Sequence, residues 1–151
     1  MQLTQKETTL LKDLKGQEKL CIEKYTEYSS KASDGQLKNL LSHIAGIEQQ
    51  HFDTISQIEN GTVPSMSGSN SQQQPTFTAT YNSQETEEKK HDCFLCSDLL
   101  ATEKHVSGLY DTCIFEFNDN QVRNVLNHIQ TEEQEHGKMI YDYMSTNNMY
   151  S

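Results

Sequence analysis

Residues 40–55, LLSHIAGIEQQHFDTI, fall over residues 125–140, VLNHIQTEEQEHGKMI, when the chain is compared with itself at an offset of 85 residues. The same offset lays QEKLCIEKY (17–25) over TEKHVSGLY (102–110) and pairs Leu10 with Leu95, Leu14 with Leu99 and Tyr25 with Tyr110. It also pairs Asp34 with Asp119, His43 with His128 and Ile55 with Ile140. Self-similarity at a fixed period is the signature of a repeated structural unit. Within each copy the apolar residues recur every three or four positions: Leu3, Leu10, Leu14, Cys21, Tyr25 and Tyr28, then Leu37, Leu40, Leu41, Ile44, Phe52, Ile55 and Ile58. The second copy repeats this with Leu95, Leu99, Val106, Tyr110, Cys113 and Phe117, then Val122, Val125, Leu126, Ile129, Ile140 and Met144. That is the period of an amphipathic helix. Thr4 with Glu7 has the form of a capping box, Asp34 is placed to cap a second helix, and Asn60-Gly61 reads as its stop. Asn118, Asp119 and Asn120 mark the turn between the last two helices. Each copy therefore reads as a helical hairpin, and the chain as two duplicated hairpins.

Both prolines, Pro64 and Pro75, fall in GTVPSMSGSNSQQQPTFTATYNSQ (61–84), a Gly-, Ser-, Gln- and Thr-rich linker. A chain of 151 residues is the size of one domain. The expected organisation is a single domain over 1–151, with one hairpin at 3–60, the linker at 61–84 and the other hairpin at 85–147. The Gly- and Ser-rich centre of the linker is expected to be mobile. PTFTATY (75–81) alternates in strand fashion and is expected to lie along the bundle as a long crossover. A formal net charge of −10 argues against binding nucleic acid, whose phosphates need clusters of Lys and Arg. No apolar run approaches the roughly 20 residues that span a bilayer, and MQLTQKETTLLKD has no signal-peptide character, so a soluble intracellular protein without a membrane span is expected. Four cysteines in such a chain read as reduced thiols.

Each copy carries a Glu followed thirty residues later by Glu-x-x-His: Glu18 with Glu48 and His51, and Glu103 with Glu133 and His136. Counted from the Asp34 and Asp119 turns, the first Glu and the Glu/His pair lie at nearly equal distances along their helices, about 24 Å at about 1.5 Å per residue. The three side chains are thus level across each hairpin. A separation of three residues keeps each Glu and His on one helical face, together with Ile44 and Ile55 or Ile129 and Ile140. Packing the hairpins face to face brings four carboxylates and two imidazoles to one level of the core, where no Lys or Arg is placed to neutralise them. Each ion desolvated there costs several kcal/mol (order of magnitude), whereas two divalent cations balance four carboxylates. Oxygen-rich sites with one imidazole per metal suit iron or manganese better than structural zinc. The candidate metal ligands are therefore Glu18, Glu48, His51, Glu103, Glu133 and His136. Their pattern is that of the ferritin-like di-metal carboxylate bundles, and the fold class read here is all-α, a ferritin-like four-helix bundle.

Other recurrent polar residues have quieter readings. His43 and His128 lie about 80° around the helix from the Glu-x-x-His histidines and are expected to hydrogen-bond behind the ligands or between helices. Tyr25 and Tyr110 lie two turns beyond Glu18 and Glu103. Each is a buried phenol with a satisfied hydroxyl, or one bonded to a metal-bound carboxylate or able to donate an electron. Cys93 and Cys96 form a lone C-x-x-C that would have to share a zinc between molecules, so a helix start with partly packed thiols is the simpler reading. Cys21 and Cys113 read as small apolar residues, and the acidic run 84–90 as a solvated helix start.

Taken with LTQKETTLLKDLKGQEKLCIEKY, IEQQH, PTFTATY, FLCSDLLATEKHVSGLYD and NVLNHIQTEEQEHGKMIYDYM, the chain resembles the spore coat protein F-like (Coat F) family of endospore-forming bacteria, within the ferritin-like superfamily. The resemblance implies expression during sporulation, a place in the spore coat, other coat proteins as partners, and a homo-oligomer. At the positions that match ferritins and rubrerythrins it implies Glu18, Glu103, His51 and His136 as terminal ligands and Glu48 and Glu133 as bridging ligands. No rubredoxin-type cysteine module accompanies them. Two functions stand on this reading. One is a di-iron or di-manganese oxidoreductase of peroxidase, catalase or ferroxidase type, acting on peroxide, dioxygen or ferrous iron. The other is a structural coat component in which the linker and the C-terminal tyrosines (Tyr141, Tyr143, Tyr150) make contacts or cross-links, and metal only stabilises the bundle.

Overall fold

A computed structural model of the chain describes residues 2–65 and 74–150. It contains four helices, α1 (Gln5–Lys31), α2 (Gly35–Glu59), α3 (Glu87–Glu116) and α4 (Asn120–Thr146), and no strand among the described residues. Each start is capped as its residues dictate. Thr4 and Glu7 form the expected capping box, Asp34 caps α2, Thr86 caps α3, and Asp119 caps α4 by accepting from Val122 N. Helix α2 stops at Asn60, and Gly61 takes the left-handed φ of 90° that its missing Cβ permits.

On each helix a series of buried positions steps alternately by four and three. They are Glu7, Leu11, Leu14, Glu18, Cys21 and Tyr25 on α1, and on α4 they include Val122, Leu126, Ile129, Glu133, His136, Ile140 and Tyr143. This is the heptad seam of nearly parallel helix packing, and the ligand candidates occupy seam positions. Leu11, fully buried, takes the α1 seam position; Leu10, the residue suggested by simple periodicity, packs only at the rim. Leu11 is the one that keeps the four-three step between Glu7 and Leu14.

Two long-range bonds fix the direction of the helices. Asn118 N donates to Glu7 Oε2 at 3.2 Å, placing the α3–α4 turn beside the start of α1. Ser33 N and Asp34 N donate to Asp92 at 2.8 and 3.0 Å, placing the start of α3 beside the α1–α2 turn. Hence α1 and α4 run one way and α2 and α3 the other, and the connection from α2 to α3 must travel the length of the bundle, about 37 Å for the 25 residues of α2. Residues 66–73, which include most of the Gly- and Ser-rich centre expected to be mobile, lie outside the described residues.

The segment 75–81 is not a strand. Among the described residues there is no strand for it to pair with, and side chains satisfy its backbone instead: Gln36 Nε2 donates to Thr78 O at 2.8 Å, and Asn147 Oδ1 accepts from Thr80 N and Tyr81 N. Phe77 packs edge-on against Tyr143, whose hydroxyl donates to Asp34 Oδ2 at 2.6 Å. Tyr81 OH donates to Asp92 Oδ2 at 2.7 Å. Asp34, Asp92 and Asn147 thus tie the crossover, the first turn and the last helix into one buried latch.

Candidate metal centre

Helix α1 contributes Glu18, α2 contributes Glu48 and His51, α3 contributes Glu103, and α4 contributes Glu133 and His136. All six side chains lie in the core, none more than 3% exposed. They form two overlapping groups, Glu18, Glu48, His51 and Glu133 on one side and Glu48, Glu103, Glu133 and His136 on the other. In each group one ligand atom per residue lies within 4.8 Å of all the others. Glu48 and Glu133 belong to both.

Both imidazoles turn Nδ1 toward the carboxylates. His51 Nδ1 lies 2.8 Å from Glu133 Oε1, 3.4 Å from Glu48 Oε1 and 3.6 Å from Glu18 Oε2. His136 Nδ1 lies 3.0 Å from Glu48 Oε1 and 3.8 Å from Glu103 Oε1. A divalent ion with bonds of about 2.0–2.2 Å to N and O sets neighbouring ligand atoms about 3 Å apart, the scale of these separations. The two rings stack obliquely, with centroids 6.0 Å apart.

The tyrosines that recur with the glutamates are bonded crosswise between hairpins. Tyr25 OH donates to Glu103 Oε1 at 2.5 Å, and Tyr110 OH donates to Glu18 Oε1 at 2.7 Å. Burial, reinforced by those carboxylates, pushes both phenols well above their ordinary pKa, so they remain donors. Glu18 and Glu103 are therefore each held by one oxygen, and the other is left over. Six buried oxygens have no partner in hydrogen-bonding geometry: Glu18 Oε2, Glu103 Oε2 and both oxygens of Glu48 and of Glu133. His51 Nδ1, though close to Glu133, also lacks such geometry. Buried polar atoms are almost always satisfied, and six orphaned acceptors beside imidazole nitrogens form a donor set that fits a pair of cations.

Without metal, protons do part of that work. Burial raises Glu18 to about 7, with the charge of Glu48 adding to it against the pull of His51. Burial and the neighbouring Glu103 push Glu133 well above the usual carboxylate range. Burial alone would also raise Glu48, but the imidazoles beside it and Glu133 hold it well below. Burial opposes protonation of the histidines, yet the surrounding carboxylates win, lifting His51 well above its ordinary value and His136 to about 9. Metal uptake at such a site must displace protons.

Not every recurrent residue joins the cluster. His128 Nε2 lies 3.5 Å from Glu132 Oε1, and that same oxygen is 2.8 Å from His51 Nε2. His43, at the matching position, is exposed on α2 beside the crossover residues Pro75, Thr76 and Phe77. Glu132 was not picked out by periodicity, because it stands one residue off the seam. Its signal is the doubled Glu of TEEQEH, which puts a carboxylate 100° around the helix from the ligand candidate Glu133. The cysteines are all free thiols, Cys93 half-buried and Cys96 buried in α3, and the buried Lys89 pairs with Glu85 at 2.9 Å within an otherwise exposed acidic start.

No helix among the described residues is long and apolar enough to cross a membrane. No curated protein and no solved structure matches this chain significantly. Residues 91–151 match the family model of the Coat F domain, a span that takes in most of α3, all of α4 and half of the cluster. The second half of the bundle, which carries Glu103, Glu133 and His136, is thus similar to the Coat F domain.

Proposed function

We propose that this is a spore coat-associated protein with a ferritin-like bundle, whose six buried side chains hold a pair of iron or manganese ions. The observation that carries this reading is the convergence of six orphaned carboxylate oxygens in two groups that share Glu48 and Glu133. Glu18 and His51 would complete one position and Glu103 and His136 the other, with Glu48 and Glu133 between them. The helix directions, with a long connection between hairpins, support the ferritin-like assignment. A bound pair would supply redox chemistry toward peroxide, dioxygen or ferrous iron. What the chain itself does is hold four carboxylates at one level, exclude water, and fix Glu18 and Glu103 with Tyr110 and Tyr25.

The depth of burial also favours a second reading, in which the ions only stabilise a coat building block. Peroxide turnover by the loaded protein separates the two. The ligand assignment is tested by the double variant Glu48→Ala/Glu133→Ala, which removes both shared carboxylates. It is expected to lose both ions while remaining helical; retention of two ions per chain overturns the assignment.

A further inference from the structure

We infer that Cys21 is the oxidisable side chain of the metal centre, taking an oxygen atom onto its sulfur when peroxide reaches the loaded protein. The inference rests on reading the six side chains as a metal site. Cys21 stands three residues after Glu18, one step along the buried seam of α1 and about 4.5 Å along its axis, and it is 1% exposed. The crosswise bonds of Tyr25 to Glu103 and of Tyr110 to Glu18 lock α1 against α3, and Cys21 lies between them. Counting along these two antiparallel helices puts the fully buried Val106 opposite it. The sulfur is thus held in the wall of the cluster, at a level between Glu18 and Glu103. The charges of all four carboxylates reach it: after burial, Glu48, Glu18, Glu103 and Glu133 push the thiol up, so it keeps its proton. On the same level Glu18 Oε2 and both oxygens of Glu48 are buried with no partner in hydrogen-bonding geometry.

The internal repeat places Val106 at the position of Cys21, so the six ligand candidates are duplicated and the thiol is not. A protonated, buried thiol reacts poorly with peroxide from solution, because the thiolate is the nucleophile. A bound metal pair would supply the activation of peroxide that this thiol lacks. The step is a two-electron oxygen transfer. The O–O bond of hydrogen peroxide breaks and an S–O bond forms. One peroxide oxygen stays on sulfur as a sulfenic acid, and the other leaves as water with the thiol proton, so sulfur is oxidised and peroxide is reduced.

The test uses the full chain, loaded without air with two equivalents of iron(II), given one equivalent of hydrogen peroxide, then denatured and digested with trypsin. Cleavage after Lys19 and Lys24 isolates Cys21 in residues 20–24, apart from the other three cysteines. The fraction of that peptide carrying added oxygen, read by mass spectrometry, is expected to rise at least about tenfold over metal-free protein given the same peroxide. It should also exceed oxidation at Cys93, the half-buried thiol that accessibility alone would favour. Glu48→Ala/Glu133→Ala should abolish the rise, and a rise that survives there overturns the inference. Cys21→Val, which copies the other half of the chain, should still take up two ions; loss of an ion would make the sulfur a ligand and overturn its assignment as the oxidised group. Two ions bound with Cys21 left as a thiol, or with Cys93 oxidised first, overturn the inference and leave the metal site standing. No iron bound by the wild type overturns both.

Discussion

Replacing both shared carboxylates by leucine, Glu48→Leu/Glu133→Leu, should make the metal-free protein more stable while removing its response to metal. Both side chains are 0% exposed and none of their four oxygens has a partner in hydrogen-bonding geometry, so without metal they are a burden on the core. Leucine is close in volume and extends the apolar seam on either side. Exchanging buried ionic groups for apolar ones of similar volume is commonly neutral to stabilising by about 1–4 kcal/mol. Taking about 2 kcal/mol, and about 2–4 °C per kcal/mol for a chain of this size, the metal-free variant should melt about 4–8 °C above the metal-free wild type. Metal at a hundred times its Kd adds about 2.7 kcal/mol to the wild type, about 5–11 °C, and nothing to the variant. The assay is thermal unfolding followed by far-ultraviolet circular dichroism, with chelator and with manganese(II). A variant that melts several degrees below the metal-free wild type, or that still rises with manganese, refutes the reasoning.

Tyr110→Phe removes the hydroxyl that holds Glu18 Oε1 at 2.7 Å; it should cost about 1–3 kcal/mol in urea unfolding and weaken metal binding about 10–100-fold, and unchanged affinity would show that the phenol does not position the ligand. Glu7, which accepts from Thr4 N at 2.9 Å and from Asn118 N, is held below the ordinary carboxylate range chiefly by the Thr4 backbone bond. Because its folded pKa is depressed, its contribution is present above the unfolded value and is lost as pH falls through the folded one. Glu7→Gln should therefore cost about 1 kcal/mol near neutrality, with the difference from wild type closing below pH of about 4, and a gap that persists in acid contradicts this. Asp92→Ala leaves Ser33 N, Asp34 N and the Tyr81 hydroxyl without their acceptor and should destabilise by about 3 kcal/mol, measured by chemical unfolding; a loss under about 1 kcal/mol would show that the latch contributes little.

The helices and the six ligand candidates were legible because both obey a period. Glu18, Glu48, His51, Glu103, Glu133 and His136 are charged or polar residues at seam positions, and a charged group on a seam needs a partner. The capping residues were equally plain, since Thr4 with Glu7 and Asp34 are local signals. What single-helix periodicity does not encode is the register between hairpins. The crosswise bonding of Tyr25 to Glu103 and Tyr110 to Glu18 depends on how the two hairpins dock. The unlike environments of His43 and His128 were hidden for a related reason, because they turn on Glu132 and its counterpart in the repeat, Ile47, which lie off the seam. Asp92 lies just beyond the acidic run 84–90 and carries no signal of its own in the sequence; only the arrival of the α1–α2 turn and Tyr81 makes it a buried acceptor.

The most direct measurement is metal content by elemental mass spectrometry on the untagged full chain, after separate supply of iron and of manganese, with peroxide consumption followed in the same samples. Close to two ions per chain is the predicted result, and accompanying turnover would assign the redox reading over the structural one. A folded, helical protein that holds no metal under either condition would contradict the central claim, leaving the four carboxylates to be neutralised by protons and the imidazoles alone.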